Sequence, residues 1–113
     1  MVLHVVLFRP KPGIAESDRN AMFDALDTAA KGIPTVRRFQ VGARVTHGAA
    51  YEALMIHDFP FAAIIEFDDL EGLQAYLRHP KHEVLGEFFY RLQESALAYD
   101  YEVRVLPAVQ GLR

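Results

Sequence analysis

Two hydrophobic rhythms alternate along this chain, and the switches between them mark out its elements. Val2 to Arg9 is rich in β-branched and aromatic residues and stops at Pro10-Lys11-Pro12-Gly13, a dense turn signal, so it reads as a first strand. From Ser17 the apolar positions Met22, Leu26, Ala29 and Ala30 fall at helical intervals. Ser17, or the run Glu16-Ser17-Asp18, supplies a cap and first-turn negative charge to this helix, which ends near Gly32. After the turn Ile33-Pro34-Thr35, Phe39, Val41, Ala43 and Val45 alternate with Arg38, Gln40, Gly42 and Arg44, predicting a strand with one wet face. Gly42 within it marks a bulge or a close backbone approach.

His47 to Asp58 has no clean period and reads as a loop, with a short helical piece around Tyr51 to Met55. Pro60 interrupts the next apolar run, so the third strand starts at Phe61 and continues to Phe67. Asp68 or Asp69 caps a second helix with Leu70, Leu73, Tyr76 and Leu77 on its inner side. Val84, Leu85, Phe88, Phe89 and Leu92 give a third helix its apolar stripe. Leu97, Tyr99, Tyr101, Val103 and Val105 alternate with Asp100, Glu102 and Arg104 in a fourth strand with one polar face. The order β-α-β-β-α-α-β predicts an α+β, ferredoxin-like split βαβ fold with a four-stranded antiparallel sheet and a broken last helix. It occupies residues 1–106, and 107–113 form a C-terminal tail.

Helices in this topology cover one face of the sheet, whose other face should then be polar. Here the strands are apolar on both: Val2, Val6 and Phe8 alternate with Leu3, Val5 and Leu7, and Phe61, Ala63, Ile65 and Phe67 alternate with Ala62 and Ile64. A second copy of the chain is the most economical cover, so a homodimer is expected.

Composition narrows the function without naming it. The 113 residues are 51% hydrophobic and 24% charged, as in ordinary globular domains. The absence of cysteine removes disulfides, thiolate metal sites and cysteine nucleophiles. A net charge of −3 argues against a nucleic-acid partner. No apolar run is long enough to cross a membrane and the start lacks a signal-peptide pattern, so no membrane partner and a cytoplasmic location are expected. No phosphate-binding loop, dinucleotide fingerprint or Ser-His-Asp arrangement is visible.

The one stretch that looks chemical is Tyr76-Leu77-Arg78-His79-Pro80-Lys81-His82. Pro80 pushes His79 out of the α region and is itself well suited to open a helix, so the second helix should end and the third begin there. His82 then stands in a helical first turn, where the positive dipole end disfavours imidazolium. A neutral histidine can serve as a general base.

His4-Val5-Val6-Leu7-Phe8 with Lys11-Pro12-Gly13, then Ile33-Pro34 and Val36, Gly42, Ile65-Glu66-Phe67, the histidine-proline stretch and Asp100-Tyr101 occur in order at matching intervals. In these the chain resembles the stress-responsive α/β-barrel (Dabb) family, from Val2 to about Glu102. The resemblance implies a homodimer whose sheets face each other in an α/β barrel, with a pocket between each sheet and its helices. It does not imply one activity. A plant member is a polyketide cyclase performing an intramolecular aldol condensation, and its donor tyrosine and base histidine correspond to Tyr76 and His82. A strand-one pocket histidine corresponds to His4, and a further pocket histidine falls on Phe61. Thr35 replaces the usual glycine after Ile-Pro, and Asp58-Phe59-Pro60 changes the approach to the third strand.

Each residue also has a plainer reading. His82 could stabilise the elbow, His79 could cap a helix, His4 could be a core histidine bonded to a carbonyl or to Tyr76, and Tyr76 could be core. A lone His-x-x-His across a proline lacks the geometry of a zinc motif, and neither a metal nor a cofactor is expected. The expected site comprises Tyr76 and His82 as catalytic residues, with His4, Phe61 and His79 around the substrate. Three functions remain open: a stress-associated domain binding a small apolar or aromatic molecule, a cofactor-independent polyketide cyclase-like enzyme, or a purely structural dimer.

Overall fold

The computed structural model describes residues 1–106, and the expected tail at 107–113 lies outside them. In chain order come β1 (Val2–Pro10), α1 (Glu16–Gly32), β2 (Arg38–Ala43), a 3-10 turn (Ala50–Leu54), β3 (Phe61–Phe67), α2 (Leu70–Arg78), α3 (Pro80–Leu92) and β4 (Gln93–Glu102). The strands form one antiparallel sheet in the order β2-β3-β1-β4, the ferredoxin-like α+β arrangement.

Local chemistry explains most boundaries. Asp69 caps α2, its carboxylate accepting the Gly72 N–H at 2.8 Å. Pro80 occupies the first turn of α3, and His79 before it is extended at φ −70° and ψ 139°. Two expectations shift. Helix α1 begins at Glu16 behind Ala15, whose side chain cannot cap, so Ser17 lies inside the helix. Strand β4 begins at Gln93, directly from α3, earlier than the alternation from Leu97 predicts, and the Leu92–Gln93 junction has no Gly, Pro or Asn to announce the change of period.

Register separates the two faces of the sheet. Val2, His4 and Phe8 of β1 align with Phe67, Ile65 and Phe61 of β3, and this side packs on the helices, with Phe8, Ile65, Phe67, Leu26, Ala29 and Leu73 in one core. Leu3, Val5 and Leu7 align with Glu66, Ile64 and Ala62 and with Tyr101, Tyr99 and Leu97 on the side away from the helices. There Ile64, Leu97, Tyr99 and Tyr101 are exposed, so the second face is apolar and bare in the single chain.

Candidate functional site

Three elements bring one side chain each to the same place. Tyr76 projects from the last turn of α2, on the stripe that also buries Leu73, and is 1% exposed. His82 stands in the first turn of α3, beyond the elbow, with its ring centroid 4.6 Å from that of Tyr76 at 57°. His4 rises from β1 on the helix side of the sheet, 5.9 Å from Tyr76 between ring centroids. Phe67 is the third ring packed on Tyr76, at 5.1 Å between centroids.

Across the strands, His4 Nδ1 meets Asp100 Oδ1 at 2.5 Å. A carboxylate only accepts, so the proton of this bond sits on His4 Nδ1, and Nε2 is the ring nitrogen left outside the pair. The His4 partner is therefore this carboxylate, where sequence reasoning offered a backbone carbonyl or Tyr76. Position 100 was legible only as part of the Asp100-Tyr101 pair. A separation of 96 positions along the chain gives no local signal.

Electrostatics set the protonation states. Burial, with a smaller contribution from nearby His4, pushes the His82 imidazole below the usual histidine range, while the Leu77 backbone and Glu83 partly oppose it. A neutral His82 was expected, but burial, more than the end of a helix, holds it there. Burial also raises the Tyr76 phenol well above the usual tyrosine range, so it stays protonated and able to donate.

The other two expected residues are placed differently. His79 caps α3, its Nδ1 accepting the Lys81 N–H at 3.1 Å. Phe61 stands four residues along β3 from Ile65, the partner of His4, and stacks on Phe8 at 5.6 Å, with Phe89 edge-on to Phe8 at 4.9 Å. It fills the far end of the interior and does not touch the His4–Tyr76–His82 trio. Thr35 donates its hydroxyl hydrogen to the Gly72 carbonyl at 2.8 Å, tying the turn before β2 to α2.

The open spaces lie outside this trio and touch it only at His82. His82 lines a surface groove along α3, and Asp100 lines a crevice of about 240 Å³ beside Met1, Leu70 and Leu73. A mostly apolar groove of about 770 Å³ runs between the bare sheet face and the loop before β3, past Leu7, Ile64, Met55, Ile56, His57 and Phe61. It is on the opposite side of the sheet from Tyr76. Among the described residues no three His, Asp or Glu side chains form a metal-binding group, and no helix is long and apolar enough to cross a membrane.

Residues 2–103 match the family model of the stress responsive A/B barrel domain. Olivetolic acid cyclase of Cannabis sativa is 24% identical over 103 residues, covering 91% of this chain and 97% of that protein. Among solved structures, the hydroxynitrile lyase of Passiflora edulis superposes with a TM-score of 0.77 at 15% identity, over 94% of this chain and 96% of that one. A dimeric ferredoxin-like protein of Thermobifida fusca superposes with a TM-score of 0.70 at 20% identity, over 90% of each chain. At such identities the superpositions establish the fold alone.

Proposed function

The chain belongs to the stress responsive A/B barrel domain family, and on that footing we propose that it is a homodimeric, cofactor-independent enzyme acting on a small carbonyl compound. The reaction is an aldol-type cyclisation or isomerisation, with His82 as base and Tyr76 as donor. The observation that carries this reading is the 4.6 Å contact between a phenol kept protonated and an imidazole kept neutral by burial.

The neutral imidazole takes a proton from a carbon between two carbonyls, and the Tyr76 hydroxyl donates to the enolate oxygen that develops. That carbon then bonds to a second carbonyl carbon of the same substrate, and the imidazolium returns the proton to the new alkoxide. His4, held at Nδ1 by Asp100 with its ring 5.9 Å from that of Tyr76, is the residue that steadies the substrate beside the pair. The names of the Cannabis sativa and Passiflora edulis proteins, a cyclase and a lyase, agree with carbon–carbon bond chemistry at a carbonyl. A second copy covers the bare apolar face formed by Leu3, Val5, Leu7, Ile64 and Tyr99.

A second reading is a domain that binds a small apolar or aromatic molecule without transforming it. It is supported by the apolar groove of about 770 Å³ and by the closure of Tyr76 among ring neighbours. Turnover of a linear polyketone separates the two. Cyclisation by the parent protein and its loss in His82→Gln support the enzyme. A thermal shift on adding the polyketone, without turnover, supports the binder.

A further inference from the structure

Helix α3 contains a glycine that no local requirement explains. Glycine inside a helix costs about 1 kcal/mol relative to alanine, so its presence usually answers a steric or conformational need. Such needs are visible at other glycines. Gly13 and Gly48 have φ of 71° and 82°, a backbone region that side chains rarely adopt. At Gly86 neither applies: an added Cβ meets nothing within 4 Å.

What lies over Gly86 is space. It forms the floor of a groove of about 730 Å³ bordered by His82, Glu83, Glu87, Tyr90 and Arg91. Gly86 is four residues after His82, so a side chain there would rise beside the imidazole on the same helix face. His82 is half-buried, packed on the Tyr76 ring and also lining this groove. The groove's charge is also informative. Arg91 is engaged by Asp18 at 3.3 Å, whereas Glu83 and Glu87 have no ion pair among the described residues. Their fields repel an anion approaching His82.

We propose that the α3 groove is the route by which a small uncharged carbonyl compound reaches His82, and that Gly86 keeps this route open while Glu83 and Glu87 exclude carboxylates. The proposal rests on the reading of His82 as the base, and adds the direction of approach and the charge class of the substrate. Interior approach is obstructed by the packed rings of Phe8, Phe61 and Phe89 at one end and of Phe67 and Tyr76 at the other.

Chemical modification reads access independently of turnover. Diethyl pyrocarbonate, small and uncharged, acylates neutral imidazole, and peptide mass mapping follows His82 against exposed His57 in the same sample. His82 should react in the parent, and Gly86→Leu should slow its modification about tenfold or more with His57 unchanged. Leucine favours the helix and its Cβ meets nothing within 4 Å, so the melting temperature should hold or rise; Gly86→Gln is the second blocking variant should leucine prevent folding. For charge, bromoacetamide should alkylate His82 faster than bromoacetate, and Glu83→Gln with Glu87→Gln should narrow that difference. An unreactive His82 in the folded parent, or one modified equally fast in the blocked variants, overturns the route. Equal rates for the two alkylating agents overturn the charge filter. Failure of turnover with His82 freely modified would instead count against the catalytic reading alone.

Discussion

The ring of His82 lies 4.6 Å from that of Tyr76 because the chain bends between them at Pro80, which ends α2 and starts α3 within two residues. An unbroken helix would hold positions 76 and 82 in fixed rotation about one axis, about 600° apart at 100° per residue and therefore on different faces. The elbow turns the second ring back onto the first. Both rings then lose water together, which is the origin of the neutral imidazole and the protonated phenol.

This desolvation has a sign that can be tested. The folded state holds His82 below its unfolded pKa, so stability is complete above the ordinary histidine range and falls as pH drops through that range to the lower folded value, because the unfolded chain binds the extra proton. Melting temperature followed from about pH 8 to about pH 5 should fall more for the parent than for His82→Gln. If His82 is the base, the acid limb of the rate profile should bend below the ordinary histidine range.

Asp100 should govern the tautomer of His4. With the carboxylate in place, heteronuclear NMR of the ring nitrogens should find the proton on Nδ1. Asp100→Asn should yield a mixture of tautomers with little change in melting temperature, since the carboxylate is half exposed. An Nδ1 proton retained as the sole tautomer in that variant would count against the pairing.

The bare sheet face should make the protein a dimer. Light scattering should give about twice the 12.8 kDa chain mass at micromolar concentration. Ile64→Asp, on the exposed face, should give a folded monomer with its far-ultraviolet circular dichroism retained. A parent that is monomeric under these conditions would contradict the assignment.

Interior and surface aromatic residues should differ sharply in what they contribute. Phe8→Ala removes a ring that is 1% exposed and packed on two others, and should cost about 3–5 kcal/mol in denaturant unfolding. Tyr90→Ser, at a side chain 92% exposed, should stay within about 0.5 kcal/mol.

Much of this fold was legible because its signals are local. Pro80 marked the elbow, Asp69 the second helical start and Pro60 the start of β3 at Phe61, each through one residue's backbone chemistry. The two-faced apolar pattern of β1 and β3 pointed to a bare sheet face. Other features had no local signal. The His4–Asp100 pair depends on the register of β1 against β4, and the position of Phe61 depends on how far along β3 it lies from the partner of His4. Helix α1 starts behind Ala15, where no capping side chain marks it. The groove over α3 becomes visible only when His82, Gly86 and Tyr90 are placed on one helix surface.

The most direct test of His82 and Tyr76 as an acid–base pair needs no knowledge of the natural substrate. Proton–deuterium exchange α to the carbonyl of a small uncharged ketone can be followed by NMR in deuterated buffer. The parent protein should accelerate exchange above the buffer rate, His82→Gln should return it to that rate while remaining folded, and Tyr76→Phe should lower it less severely. Exchange at the buffer rate in the parent, or undiminished exchange in folded His82→Gln, would contradict the assignment.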